Sequence, residues 1–450
     1  MDNFFNEEKN DLKNIFQRIR KKDFSGNTGQ TIKNSVYQFS TSLISKIGSL
    51  IFTIILARLL LPELFGLYSL TLSVILTFAV FSELGINSAL VKFVSEKIGK
   101  GEEKIASGYL NYFTKIKLFF IFISIILLGI FANFVSNTIY QKPIFFALLA
   151  GIFYILFIEL SSFLDSIFHA SNNFKKTFHK EILLQTCRII FVSIAVIFSL
   201  NLMLSQEIIL MNIILAVSLT FFISFLFLFF NLKKKIFFHS ESLSKEQKKQ
   251  TNKFLIFTSV IAFSGVFFNY IDRIMLGYFL DAEFVGYYTA SVSFIGALSP
   301  LIGFASVVLL PIFTKLKGKQ LLKGLKKSLR ITIVFSSAVF LITLLFSSLI
   351  VLVVYGKEYS LSADILRILS PLIFTLPLIS LYSSYFLSQN KPQIISKLLI
   401  LSTLINIILN YILISSLLSY GQIYSVYGAA ISTIISQFVY LIGLAGRKKN

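Results

Sequence analysis

Apolar runs of about 20 residues recur along the chain, each long enough to cross a hydrocarbon core ~30 Å thick as a helix. Short polar connections separate them, and Pro62, Pro143, Pro392 and clusters of lysine mark the breaks. The pattern predicts twelve membrane-spanning helices, at 34–57, 66–90, 113–135, 144–168, 181–202, 207–231, 254–280, 285–314, 329–354, 362–388, 393–417 and 425–446. Residues 1–33 are polar and lack the small-residue cleavage pattern of a secretory signal. Within them, residues 11–24 place Leu12, Ile15, Phe16 and Ile19 on one face at helical spacing. That face fits an amphipathic helix lying on the inner membrane surface; a solvated charged tail is the alternative.

Composition agrees. Mean hydropathy is +0.79, and of 450 residues 55% are hydrophobic and 14% charged, against roughly 25% charged in a soluble domain. Twelve spans use roughly 250–300 residues, which leaves no room for a second soluble fold. The expected architecture is an all-α integral membrane protein of about twelve transmembrane helices in two six-helix bundles. A cytoplasmic segment covers 1–33, the first bundle 34–231, a basic linker 232–253, the second bundle 254–446 and a cytoplasmic tail 447–450.

The net charge of +21 would point to nucleic acid in a soluble protein, but its placement points elsewhere. Thirty-six of the 42 Lys and Arg fall in the termini and in alternate connections, and four (Arg58, Lys142, Lys357 and Arg367) fall in the others. So uneven a split is the positive-inside signal. It predicts a multi-pass protein of the cytoplasmic membrane with both termini inside, basic segments meeting anionic lipid headgroups and no nucleic-acid partner. The outer connections are too short for a folded domain. Cys187 is the sole cysteine, and His169, His179 and His239 lie in or beside basic connections, so no metal site is expected.

Pro62-Glu63-Leu64-Phe65-Gly66-Leu67-Tyr68-Ser69-Leu70 returns as Ala282-Glu283-Phe284-Val285-Gly286-Tyr287-Tyr288-Thr289-Ala290. Glu, Gly and Tyr match by identity. Both copies join the first span of a six-span half to its second, as expected of parallel repeats about an axis along the membrane normal. Gly66 and Gly286 would allow a tight turn, and Tyr68 and Tyr288 would anchor at the lipid–water boundary.

Ionisable residues inside a span cost on the order of 3 kcal/mol or more, and so face a partner or a wet cavity. Lys46 and Arg273 each lie in the opening span of a half and are expected to face each other across a central cleft. There they would attract a phosphate or pyrophosphate, with arginine offering the bidentate fork. With Arg58 they form the candidate substrate-binding set. Asp272, Glu83, Glu159 and Asp165 are charge partners or gating residues; a structural pairing of Asp272 or Glu83 with a neighbouring cation is the plainer reading. Asp364 and Arg367 begin the tenth span. Pro300, Pro371 and Pro377 fall within spans and mark kinks.

Asp272-Arg273-Ile274-Met275-Leu276-Gly277-Tyr278 with Glu283-Phe284-Val285-Gly286-Tyr287-Tyr288 resembles the mid-chain signature of Wzx-type oligosaccharide flippases of polysaccharide biosynthesis. Ala57-Arg58-Leu59-Leu60-Leu61-Pro62-Glu63-Leu64-Phe65-Gly66-Leu67-Tyr68 and Glu83-Leu84-Gly85 add to the resemblance. These flippases share a superfamily with multidrug exporters and the lipid II flippase. The resemblance implies a V-shaped pair of six-helix bundles around a cationic cavity. It implies a polyprenyl-(pyro)phosphate-linked oligosaccharide turned from the inner to the outer leaflet. A sodium or proton gradient would drive this, with no bound cofactor, and a glycan polymerase or glycosyltransferases would be the partners. The rival readings are an ion-coupled drug or cation antiporter of the same superfamily, a membrane glycan polymerase, and a non-transporting scaffold.

Overall fold

The computed structural model describes residues 26–232, 241–302, 318–389 and 391–447, and all regular structure among them is helical. The amphipathic segment 11–24 lies outside these residues. In chain order the helices are α1 (Gly26–Glu83), α2 (Ile86–Gly99), α3 (Glu103–Asn133), α4 (Phe145–Ala170), α5 (Phe174–Asn201), α6 (Gln206–Asn231), α7 (Lys245–Phe279), α8 (Ala282–Ile302), α9 (Gly318–Val354), α10 (Ser362–Leu369), α11 (Leu372–Ser388), α12 (Pro392–Leu417) and α13 (Gln422–Gly446).

Among the described residues nine helices are long and apolar enough to cross a membrane, and ten if α10 and α11 form one bent span. The 42° bend between those two falls at Pro371. Helix α1 holds two spans, because its backbone breaks at Leu61 (φ 59°, ψ 172°). The residue before a proline is driven out of the helical region, and here that residue precedes Pro62. With α1 divided and α8 included, the count reaches the twelve expected.

Helix boundaries differ from the apolar runs in one consistent way. Several helices begin earlier: α3 takes in Lys104, α5 takes in Lys175, Lys176 and Lys180, and α7 starts inside the expected linker, opened by a Ser244–Gln247 capping box. The second span also fails to stop at residue 90. It breaks at Leu84 (φ 38°) and Gly85 (φ 70°), then continues as α2 to Gly99.

The two halves meet chiefly where α1 packs on α8 and α7. A Cβ on Gly66 would lie 1.7 Å from the Ala282 carbonyl oxygen, and one on Gly286 would lie 2.2 Å from that of Pro62. Residue 62 against 286, and 282 against 66, is the reciprocal pattern of a two-fold relation between repeats. A second echo lies nearby. Gln206, opening α6, donates to Glu63 at 3.0 Å, and Gln422, opening α13, donates to Asp281 at 2.7 Å. The repeated glycines therefore serve close approach between halves, in ordinary helical backbone, rather than a tight turn. Tyr68 and Tyr288 are 6% and 1% exposed; they are core residues and not boundary anchors.

Candidate functional site

Three sets of buried polar groups interrupt the apolar interior, and two of them straddle α4. Lys117 of α3 is fully buried, 2.5 Å from Glu159 of α4 and 3.0 Å from Glu83 at the end of α1. One and a half turns along α4, Asp165 meets Lys180 of α5 at 2.5 Å, and Glu181 lies 3.2 Å from the same ammonium. Glu83, Glu159 and Asp165 are thus ion-paired, to lysines that the charge count had placed in connections. Lys46 is exposed and lines a cavity of about 220 Å³ with Asp165, His169, Lys180 and Glu181.

The third set belongs to the second half. Asp272 is 7% exposed and accepts from Tyr288 Oη (2.6 Å), Asn410 Nδ2 (2.6 Å) and Thr433 Oγ1 (2.8 Å). Its donors come from α8, α12 and α13, so one carboxylate ties four helices together. Asp272 is not paired with the adjacent Arg273. That guanidinium turns to Thr289 Oγ1 (3.2 Å) and the Asn269 carbonyl (3.4 Å), and lies 5.7 Å from the Tyr270 ring.

Arg188 is the residue that sequence reasoning misplaced. One of the thirty-six Lys and Arg assigned to termini and alternate connections, it sits midway along α5. One Nη2 donates to Ser49 Oγ (2.9 Å) and Gln185 Oε1 (2.5 Å), and the guanidinium lies 4.5 Å over the Phe52 ring. Its Nε is buried without a partner. No carboxylate among the described residues pairs with Arg188 or Arg273 within 4.0 Å, whereas Lys117 and Lys180 each have two. The signal was available: the predicted span 181–202 contains residue 188.

Ser49 in the first arm of α1 accepts from Arg188, and Tyr68 in the second arm and Tyr154 of α4 are electrostatic neighbours of the same guanidinium. Tyr270 of α7 is in turn an electrostatic neighbour of Tyr68, Tyr154 and Arg273. Tyr270 is thus in electrostatic range of residues on both the Arg188 and the Arg273 side, one arginine from each half. Lys46 stands one turn from Ser49.

Arg58 lies apart. At the end of the first arm of α1 it donates to the Val354 carbonyl at 2.8 Å and to that of Val353, capping the C-terminus of α9 in the other half. Tyr359 Oη reaches back to the Ala57 carbonyl at 2.9 Å, and Lys142 Nζ to that of Gly277 at 2.7 Å. With the Gly66–Gly286 contact, these bonds shut the molecule at the Pro62 end. Glu283 occupies the first turn of α8. Asp364 and Arg367 pair locally on α10. The described residues contain no group of three or more His, Cys, Asp or Glu able to hold a metal.

The chain is similar to known proteins in sequence and in fold. The chain is 26% identical over 213 residues to the probable low-salt glycan biosynthesis flippase Agl15 of Haloferax volcanii, a match spanning 46% of this chain and 41% of that relative. Its fold is similar to that of the lipid II flippase MurJ in an inward closed conformation (TM-score 0.69, 20% identity, covering 92% of this chain and 87% of that one). It is also similar to an inward-facing multidrug resistance MATE family transporter of the MOP superfamily (TM-score 0.63, 14% identity, covering 93% and 96%). Residues 31–317 match the polysaccharide biosynthesis protein family, and with most of the chain inside that match, this multi-pass membrane protein belongs to it.

Proposed function

We propose that the chain is a flippase that carries a polyprenyl-(pyro)phosphate-linked oligosaccharide from the inner to the outer leaflet of the cytoplasmic membrane. The two halves alternate access to the central site, both termini face the cytoplasm, and a sodium or proton gradient provides the drive. The observation that carries this reading is Arg188, a part-buried guanidinium at mid-span with no carboxylate within ion-pair distance and a buried Nε donor unused. A cation with no direct carboxylate partner in an apolar interior is costly, even with Glu181 reached through Gln185, and a bidentate anion is the ligand its fork fits. Arg273, equally free of carboxylates, supplies the second fork from the other half, and Lys46 supplies a cation at the mouth. Agl15, described as a glycan biosynthesis flippase, supports the class of cargo. Glycosyltransferases would supply the cargo and a glycan polymerase would consume it.

One observation favours the antiporter as a second reading. Asp272 is a buried carboxylate held by neutral donors alone, a group suited to a cationic substrate. Reconstitution in liposomes separates the two. Under an imposed sodium or proton gradient, polyprenyl-pyrophosphate-linked sugars should cross, and Arg188→Ala and Arg273→Ala should each lower the rate at least tenfold. Exchange of a hydrophobic cation with no movement of the lipid would overturn the flippase reading.

A further inference from the structure

Four cations lie on the side that the charge split reads as outer, and three of them have clear partners. Arg367 pairs with Asp364, and Lys142 donates to the Gly277 carbonyl in the last turn of α7. Arg58 completes the C-terminus of α9. A helix ends with four carbonyls that none of its own amides can reach in the regular ladder. In α9, Val351 and Leu352 are taken by the Tyr355 and Gly356 amides, and Val353 and Val354 by the Arg58 guanidinium from the other half. The fourth cation, Lys357, follows three residues after that helix end.

Arg58 and Lys357 line one cavity of about 360 Å³ with Glu358, Tyr355, Tyr359 and Leu61. Arg58 uses Nε and Nη2 on the carbonyls, and its Nη1 has no acceptor among the described residues. Neither cation takes part in an ion pair within 4.0 Å among those residues. Two cations against one carboxylate leave a positive charge in excess. Both tyrosine hydroxyls are spent, Tyr355 on the Ala290 carbonyl and Tyr359 on that of Ala57, so the rings are wall and not ligand. The rim is apolar: Leu61, Leu352 and Val353 are exposed, a surface suited to acyl chains. Sites for drug-sized ligands run to ~300–1,000 Å³, so this one has room for a headgroup and not for an oligosaccharide.

We propose that this cavity is an outer-leaflet site for the anionic phosphate of a lipid headgroup, and that the phosphate draws Arg58 away from the end of α9. A helix C-terminus presents about half a negative charge. An anionic phosphate presents at least a full one and accepts the guanidinium fork bidentately. It meets Arg58 first at the unused Nη1, and Lys357 supplies the second cation. As Arg58 turns, Val353 and Val354 lose their cap, and a tie between the two halves at the Pro62 end is released. The site's purpose rests on the flippase reading: a pyrophosphate arriving in the outer leaflet unlatches the end that confines it. Binding of the phosphate itself does not depend on that reading.

The chain has no tryptophan, so Leu352→Trp, on the cavity wall, makes a lone fluorescent reporter. The full chain in dodecyl maltoside, a phosphate-free micelle, is titrated separately with a polyprenyl pyrophosphate, phosphatidylglycerol and inorganic pyrophosphate. Both lipids should shift the emission, each binding at least tenfold more tightly than inorganic pyrophosphate. Arg58→Gln in that background should weaken both at least tenfold and Lys357→Gln at least threefold. Arg367→Gln, at the outer cation already paired, should change neither. Hydrogen–deuterium exchange reads the latch: amides at 354–359 should exchange at least threefold faster with the polyprenyl pyrophosphate bound, and as fast without it in Arg58→Gln. No shift with either lipid, inorganic pyrophosphate binding as tightly as the lipids, or an Arg58→Gln variant that binds as wild type overturns the site. If Arg58→Gln fails to fold, Lys357→Gln decides, and unchanged binding refutes the proposal. Tighter binding of the polyprenyl pyrophosphate than of phosphatidylglycerol supports the exit role; equal binding keeps the site and removes that role. Liposome translocation keeps the two proposals distinct. A chain that binds both lipids here but moves no lipid-linked sugar leaves the phosphate site standing and removes the flippase. Translocation with no binding here does the reverse.

Discussion

Gly66→Ala perturbs the contact between halves more directly than any other single methyl group. The added Cβ would sit 1.7 Å from the Ala282 carbonyl oxygen and 2.9 Å from the Gly286 amide nitrogen. A carbon–oxygen contact relaxes to about 3.3 Å, so the two helices must part by about 1.5 Å at that point. Both neighbours are backbone, and no rotamer change can absorb the shift. Overpacking costs typically 1–3 kcal/mol, and an obstacle of this rigidity belongs at the upper end. About 3 kcal/mol corresponds to roughly a 100-fold shift in equilibrium, here from the closed Pro62 end toward an open one. Pulsed electron paramagnetic resonance between spin labels at Glu63 and Lys357, exposed positions in opposite halves, in a Cys187→Ser background, reads that equilibrium as a distance distribution. The distribution should lengthen in Gly66→Ala and in Gly286→Ala. Gly99→Ala, whose Cβ would meet nothing within 4 Å, should leave it unchanged and add about 0.5–1 kcal/mol of helix stability. If Gly66→Ala matches wild type in distance distribution and thermal midpoint, the halves do not meet glycine to glycine and the closed end is misassigned.

Further outcomes follow from the same geometry. Arg188→Lys keeps the charge but loses the fork and the stacking over Phe52, so it should recover less than a tenth of the wild-type liposome rate, and full activity would show that a point charge suffices. Asp272→Ala leaves buried donors on Tyr288, Asn410 and Thr433 without their acceptor, at about 1–3 kcal/mol for each unsatisfied group; a large fall in thermal midpoint should follow, with Tyr288→Phe far milder. Leu61→Gly should be neutral or stabilising by about 1 kcal/mol, because it relieves a left-handed backbone at a residue already 53% exposed. Leu60→Gly, one residue away and 2% exposed, should be strongly destabilising in the same melt.

Membrane insertion is decided by a sum over consecutive residues, because every backbone polar group must be satisfied within the segment and each apolar side chain contributes locally. The twelve spans, the repeat and the exporter-like fold class were for that reason legible in the chain alone. Lys117, Lys180 and Arg188 were not. A cation near the end of an apolar run reads the same whether it caps a helix or lies buried against a partner, and their partners are remote: Glu159 is 42 residues from Lys117, and Ser49 is 139 from Arg188. Lys46 and Arg273 were visible as charges within spans, but only packing shows that Lys46 lines a cavity with Asp165 and Lys180 while Arg273 stands with Thr289. The repeated glycines could be seen without their reason, since close approach is a property of two backbones and a sequence describes one. Insertion is a one-dimensional problem that the order of residues solves. The cancellation of buried charge is three-dimensional, and only the tertiary fold decides which cations are neutralised and which are left without a carboxylate.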